Sequence, residues 1–202
     1  MRVMHETVLI DRGGFSRSPE WATIRNQILR AIRAVEWPLG AGSFALYPEL
    51  GKGRGKGNGV TPIKTTCMQH LVASGWNLET TVDIATRVRP GKMDATCHVA
   101  DKLFCFEWET GNVSSSHRAL DKMAFGLIKG ILVGGVLVVP TRTMARYLTD
   151  RVGNYEELTP YFPFWQAIQV TEGYLAIMGI EHDALSEKVP RIPKGTDGRA
   201  LQ

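Results

Sequence analysis

Phe106-Glu107-Trp108-Glu109-Thr110-Gly111-Asn112 sets two acids two residues apart at the end of an apolar run. In a strand, residues i and i+2 project from one face, so Glu107 and Glu109 would lie side by side. Two carboxylates in a half-buried position repel each other, and a cation between them relieves the cost. A hard divalent ion such as Mg²⁺ takes carboxylate oxygens readily. Just upstream, Arg89-Pro90-Gly91-Lys92-Met93-Asp94 supplies a third acid. Strands over 93–99 and 103–109, joined by a turn at Ala100-Asp101-Lys102, would form a hairpin bringing Asp94 beside the glutamates. Three acids at one point are a donor set for phosphodiester chemistry. The plain alternatives are a solvent-facing glutamate pair on an edge strand, with Asp94 as a turn or cap residue.

Outward from this hairpin, strands and helices alternate. Asn112 or Ser114 starts a helix to Lys129, with Leu120, Met123, Leu127 and Ile128 on one face and Gly130 ending it. Residues 131–139 are continuously apolar, as in a strand central to a sheet. Thr141 caps a short helix to about Asp150, residues 154–165 read as helical, and 174–180 as a last strand before a polar tail with Pro190 and Pro193. Toward the N-terminus, Ser18-Pro19 caps an amphipathic helix carrying Ile24, Ile28, Ile32 and Val35, which closes near Trp37-Pro38. Thr61-Pro62 caps another, ending at about Ser74 with Gly75 beyond it. Between them, residues 51–59 alternate Gly with Lys or Arg and read as a flexible basic loop, either a solvated surface loop or one ordered by DNA phosphates. The pattern, without repeats or a linker, implies a single α/β domain over 1–202, a mixed central sheet flanked by helices.

The whole chain narrows the classes further. A length of 202 residues supports a real core, and 44% hydrophobic with 22% charged residues excludes a disordered chain. A net charge of +4 leans weakly toward a polyanionic partner. Cys67, Cys97 and Cys105 are odd in number and widely spaced, which fits a reducing compartment. Residues 1–14 lack a signal-peptide core, and the 131–139 run is far short of the roughly 20 residues that span a bilayer. No membrane role and a cytoplasmic location are expected. A Walker loop is excluded because Lys56 is followed by Gly57 where Ser or Thr is needed. Cys67-Met68-Gln69-His70 has zinc-like spacing but no second pair. A Ser-His-Asp hydrolase is disfavoured because no nucleophile elbow is present.

An acid on one strand followed by Glu-x-Glu on the next resembles the PD-(D/E)xK nuclease core, with Met93 in place of the usual Pro and Glu109 in place of the usual Lys. That Glu variant is characteristic of BamHI-like type II restriction endonucleases. Longer blocks carry the same resemblance: Glu107 through Arg118, Tyr147-Leu148-Thr149-Asp150-Arg151-Val152, Glu156-Glu157-Leu158 with Pro160-Tyr161-Phe162, Ile192-Pro193-Lys194-Gly195-Thr196-Asp197-Gly198, and Asn58-Gly59-Val60 with Pro62-Ile63-Lys64. It covers roughly 58–198, and more loosely the first helix. It stops before a C-terminal helical segment that BamHI carries and compact relatives lack.

The resemblance implies a restriction-endonuclease fold and two-metal hydrolysis of DNA with two Mg²⁺ per active site. Asp94 would bridge the ions, and Glu107 with the Trp108 backbone carbonyl would complete one shell. Glu79 aligns with a further active-site acid. Glu109 would orient the attacking water or act as general base. Asn112, Ser114 and Arg118, at the start of a helix, and Asp150 and Arg151, at the end of another, are residue types suited to base edges and phosphates. By resemblance these five carry recognition of the palindrome GGATCC, cut after the first G to leave 5′ overhangs. Lys64 matches a position near the DNA or dimer contact, and His117 could touch a phosphate or cap locally. Double-stranded DNA is the implied partner. A palindrome also implies a homodimer, with a companion DNA methyltransferase in the same prokaryotic system. The stripe Leu120, Met123, Leu127 could pack in the core or face that dimer. A sequence-specific DNA-binding protein without cleavage is the alternative.

Overall fold

The computed structural model describes residues 1–53, 55–83 and 91–194. Arg89-Pro90 and Gly195-Thr196-Asp197-Gly198 lie outside the described residues, as does position 54 of the glycine-rich loop. The strands are β1 (Arg2–Arg12), β2 (Ala45–Leu46), β3 (Asn77–Thr80), β4 (Met93–Val99), β5 (Lys102–Trp108), β6 (Leu132–Pro140), β7 (Gly173–Glu181) and β8 (Ala184–Leu185). The helices are α1 (Pro19–Arg33), α2 (Thr61–Ala73), α3 (Val113–Ile128), α4 (Arg142–Ala145), α5 (Tyr155–Leu158) and α6 (Phe162–Gln166).

Six strands form one mixed sheet in the order β1-β7-β6-β5-β4-β3. The central strands β5, β6 and β7 run parallel, and antiparallel strands flank them on both sides. β6 is buried at every position, as its unbroken apolar run requires of a strand covered on both faces. Phe104, Phe106 and Trp108 of β5 pack on the side of α1 and α2, with Ile28, Ile32, Ile63 and Leu71. Cys105, between them, packs on the other side with Leu120, Met123 and Leu127 of α3. The period of two therefore sends Glu107 toward α3. Those three α3 residues are buried in this chain's own core at 2% exposure or less, so the stripe is core and not a dimer surface.

Capping is legible in the sequence for most helices. Ser18 accepts from the Trp21 N–H at 3.1 Å with Pro19 in the first turn, and Asn112 accepts from Ser115 at 3.1 Å. At α2 the expectation fails: Thr61 is already helical, Val60 is the N-cap, and no side chain caps it. The predicted helix to Asp150 stops at Ala145. The predicted helix over 154–165 breaks into α5, a 3₁₀ turn (Thr159–Tyr161) and α6, because Pro160 and Pro163 remove donors. β1 is invisible to periodicity: its exposure alternates poorly and two register shifts interrupt its pairing with β7.

The loop over 51–59 is tied down, contrary to its flexible composition. Gly51 N–H donates to Arg146 O and Asn58 N–H to Tyr147 O, both at 2.8 Å, while the Asn58 amide donates to Tyr47 O and Tyr147 O at 2.9 Å. A Cβ on Gly51 would stand 1.6 Å from Leu148 O, so only glycine lets the two backbones approach. Gly51→Ala is expected to lower stability by about 1–3 kcal/mol, read as a reduced urea midpoint.

Candidate active site

The β4–β5 ladder pairs Ala95 with Phe106, and one further step in that register sets Asp94 opposite Glu107 on one face. The Trp108 N–H donates to Asp94 Oδ2 at 2.8 Å, which ties the carboxylate to the neighbouring strand. Asp94, Glu107, Trp108 and Glu109 line a cleft of about 400 Å³ together with Lys64 and Arg118. The hairpin thus brings together the three acids that the strand spacing predicts. They do not form a compact cluster, however. Among the described residues no group of three or more His, Cys, Asp or Glu side chains is close enough to hold a metal, and Glu109 Oε1 accepts from the Gly111 N–H at 2.6 Å.

Two lysines neutralise the facing acids. Lys64 Nζ lies 2.6 Å from Asp94 Oδ1, and Lys122 Nζ lies 2.5 Å from Glu107 Oε1 while donating to Lys92 O at 2.7 Å. Lys64, expected near a DNA or dimer contact, is thereby placed on an acid of the cleft. Sequence reasoning misses Lys122, although Ser115, Arg118 and Lys122 follow i, i+3, i+7 spacing and share one face of α3; all three line the cleft. Burial, and next the Asp94 charge, push Glu107 up to about 7 against the pull of Lys122. Burial likewise raises Glu109, opposed first by the Gly111 N–H.

Glu79 is not among the residues that line the cleft. The β3–β4 register pairs Leu78 with Ala95 and Thr80 with Met93, which sets Glu79 across from Asp94. Its φ of 50° turns the backbone out of the extended range there, and the residue is exposed. His117 stacks edge-on against Tyr161, centroids 4.5 Å apart, and beside Trp165.

Asn112, Ser114 and Arg118 are exposed at the start of α3, immediately after the cleft. Asp150 and Arg151 are exposed in a loop instead of at a helix end, with Arg151 at φ 66°. The Gly153 N–H donates to Gly111 O at 2.8 Å, and a Cβ on Gly153 would stand 2.8 Å from the Val113 backbone. The two polar groups, far apart in sequence, are therefore held against one another. The Arg151–Asp150 ion pair is loose, at 3.9 Å with both side chains more than half exposed.

A family model described as "Restriction endonuclease BamHI" matches residues 1–199, extending the resemblance back to the N-terminus. The chain is 48% identical over all 202 residues to "Type II restriction enzyme OkrAI" of Oceanobacter kriegii, covering the whole of both. It is 34% identical over 181 residues to "Type II restriction enzyme BamHI" of Bacillus amyloliquefaciens, covering 86% of this chain and 80% of that one. In fold it is similar to restriction endonuclease BglII solved with a DNA 16-mer, at a TM-score of 0.59 and 11% identity over 95% of this chain and 88% of that one.

Because Glu107 sits at about 7 in the fold against an ordinary 4.5, its protonated form favours folding. That contribution is complete below about pH 4.5 and is lost as pH rises through 7. In EDTA, thermal unfolding across pH 4.5–8 is expected to show the wild type losing stability relative to Glu107→Gln over this window. Lys122→Met leaves Glu107 buried without its cation. It should cost about 3 kcal/mol at pH 8 and much less at pH 5, where Glu107 takes a proton.

Proposed function

The chain belongs to the BamHI restriction endonuclease family, and from that premise we propose that it makes Mg²⁺-dependent double-strand cuts in DNA at GGATCC, after the first G, leaving 5′-GATC overhangs. The observation that carries this reading is the single cleft shared by Asp94, Glu107 and Glu109, with the Asp150–Arg151 loop pinned beside it through Gly153. As a type II enzyme in this reading it works in the cytoplasm as a homodimer, one active site per strand of the palindrome, in a prokaryotic system with a companion methyltransferase.

The donor set suits a hard divalent ion. Asp94 and Glu107 offer only oxygens, and each already attracts a lysine ammonium, so the place demands positive charge. Asp94, Glu107 and the Trp108 carbonyl would hold Mg²⁺, with two ions per active site. When bound, Mg²⁺ supplies Lewis-acid activation of the attacking water and the scissile phosphate.

The remaining steps belong to the protein. Glu109 takes the proton of the attacking water. Burial raises its pKa and so strengthens it as a base, and the Gly111 N–H fixes Oε1. Arg118 faces the cleft and meets the phosphate backbone. Asn112, Ser114, Asp150 and Arg151 meet base edges: Arg reads guanine O6 and N7, and Asp accepts from cytosine N4. Glu79, exposed on β3 across from Asp94, would serve as a further acid toward the metal from the edge of the site.

Phage DNA of known sequence incubated with Mg²⁺ is expected to give discrete fragments ending in 5′-GATC overhangs, and none in EDTA. Discrete cuts at other sequences would overturn the base-reading residues and leave the nuclease. Asp94→Asn should lower the cleavage rate by roughly 10³-fold or more while a gel shift shows the cognate duplex still bound. Cleavage by that variant at the wild-type rate would refute the metal site.

A further inference from the structure

A second cleft, of about 510 Å³, is lined in part by the Asp150–Arg151 loop and shares no lining residue with the acidic one. Its walls carry Lys52, Arg142, Arg146 and Arg151, against Asp150 as the one carboxylate among its lining residues. Lys52, Arg142 and Arg146 are exposed, and among the described residues no ion pair joins any of them to an acid. Basic residues elsewhere do find such partners: Arg25 with Glu6, Lys102 with Glu172, and Arg191 with Glu49. Glu156 approaches this cleft but accepts from the Arg142 backbone N–H at 2.7 Å.

These cations are gathered on stiff backbone. Thr141 caps the turn that bears Arg142, accepting from Met144 N–H at 3.2 Å. The Gly51–Arg146 hydrogen bond holds Lys52 beside Arg146, and the lack of a side chain at Gly51 and Gly57 permits the close approach to Leu148 O. Four cations facing one carboxylate repel one another, a cost that a polyanion would relieve. The cleft adjoins the base-reading loop, and Gly153 ties that loop to the start of α3.

We propose that Lys52, Arg142 and Arg146 form a phosphate-binding surface that grips the duplex backbone beside the bases read by Asp150 and Arg151, contributing affinity without sequence discrimination. This rests on the DNA-cleaving function proposed above and adds residues that neither the acidic cleft nor the base-reading set includes. Phosphate contacts fix register on the duplex and carry no sequence information.

The test measures binding of the purified protein in Ca²⁺ to a cognate GGATCC duplex and to an unrelated duplex across a salt series, for wild type, Lys52→Gln and the double variant Arg142→Gln with Arg146→Gln. The slope of log affinity against log salt should flatten by about 0.9 for every phosphate that a variant no longer neutralises. Affinity for both duplexes should fall by the same factor, leaving their ratio unchanged, and the melting temperature should hold or rise. An unchanged slope in variants whose wild type binds normally overturns this surface and leaves the proposed function standing. Weakening confined to the cognate duplex would make these residues base readers and also overturns it, as does a drop in melting temperature with unaltered binding. A wild type that binds neither duplex removes the proposed function and this surface together.

Discussion

Glu107 stands inside a sheet at 6% exposure with Asp94 opposite it on the next strand, and neither charge is tolerable there without a cation. Lys64 from α2 and Lys122 from α3 supply one each, so the helices on the two sides of the sheet are bound to the hairpin by charge as well as by apolar packing. The cost of burial still shows in the raised Glu107 pKa, where desolvation outweighs the lysine. A sheet optimised for stability would place a Leu at this position. The acid is held at the expense of stability, a cost in keeping with the metal-binding role proposed for it.

Close backbone approach does the remaining positioning. Gly51 lies against Leu148 O and Gly153 against the Val113 backbone, so segments distant in sequence share one rigid edge beside the cleft. Gly51, Gly57 and Gly59, part of what suggests a flexible basic loop, serve instead to let backbones meet. The same rigidity fixes where the neighbouring Lys and Arg side chains start, and the basic cleft and the acidic cleft share no lining residue.

Several elements lie outside what pattern can disclose. β1 is an edge strand whose exposed positions and register shifts erase the alternation that marks a half-covered strand. The region of α5 and α6 reads as one helix by its apolar spacing, and its prolines divide it. Glu79 aligns with the acid group along the chain, but it stands exposed on the edge strand β3, outside the cleft's lining. Lys122 escapes notice because a lone lysine on an amphipathic helix is ordinarily solvated, and nothing local marks one that folds back onto a buried glutamate.

The hairpin, the side of it that carries the acids, the buried central strand and the family are all written in the order of residues along the chain. Each of these depends on neighbours in the chain: alternation of two along β5, an unbroken apolar run in β6, and blocks of residues in a characteristic order. Which cations meet those acids, and which polar residues share an edge with them, follows from the folded packing. Lys64 meets Asp94 from another helix, and Gly111 meets Gly153 from another loop, each across a long stretch of chain. Such meetings depend on how helices cross the sheet and how closely two backbones can pass, quantities set by packing in three dimensions that leave no periodic trace along the chain.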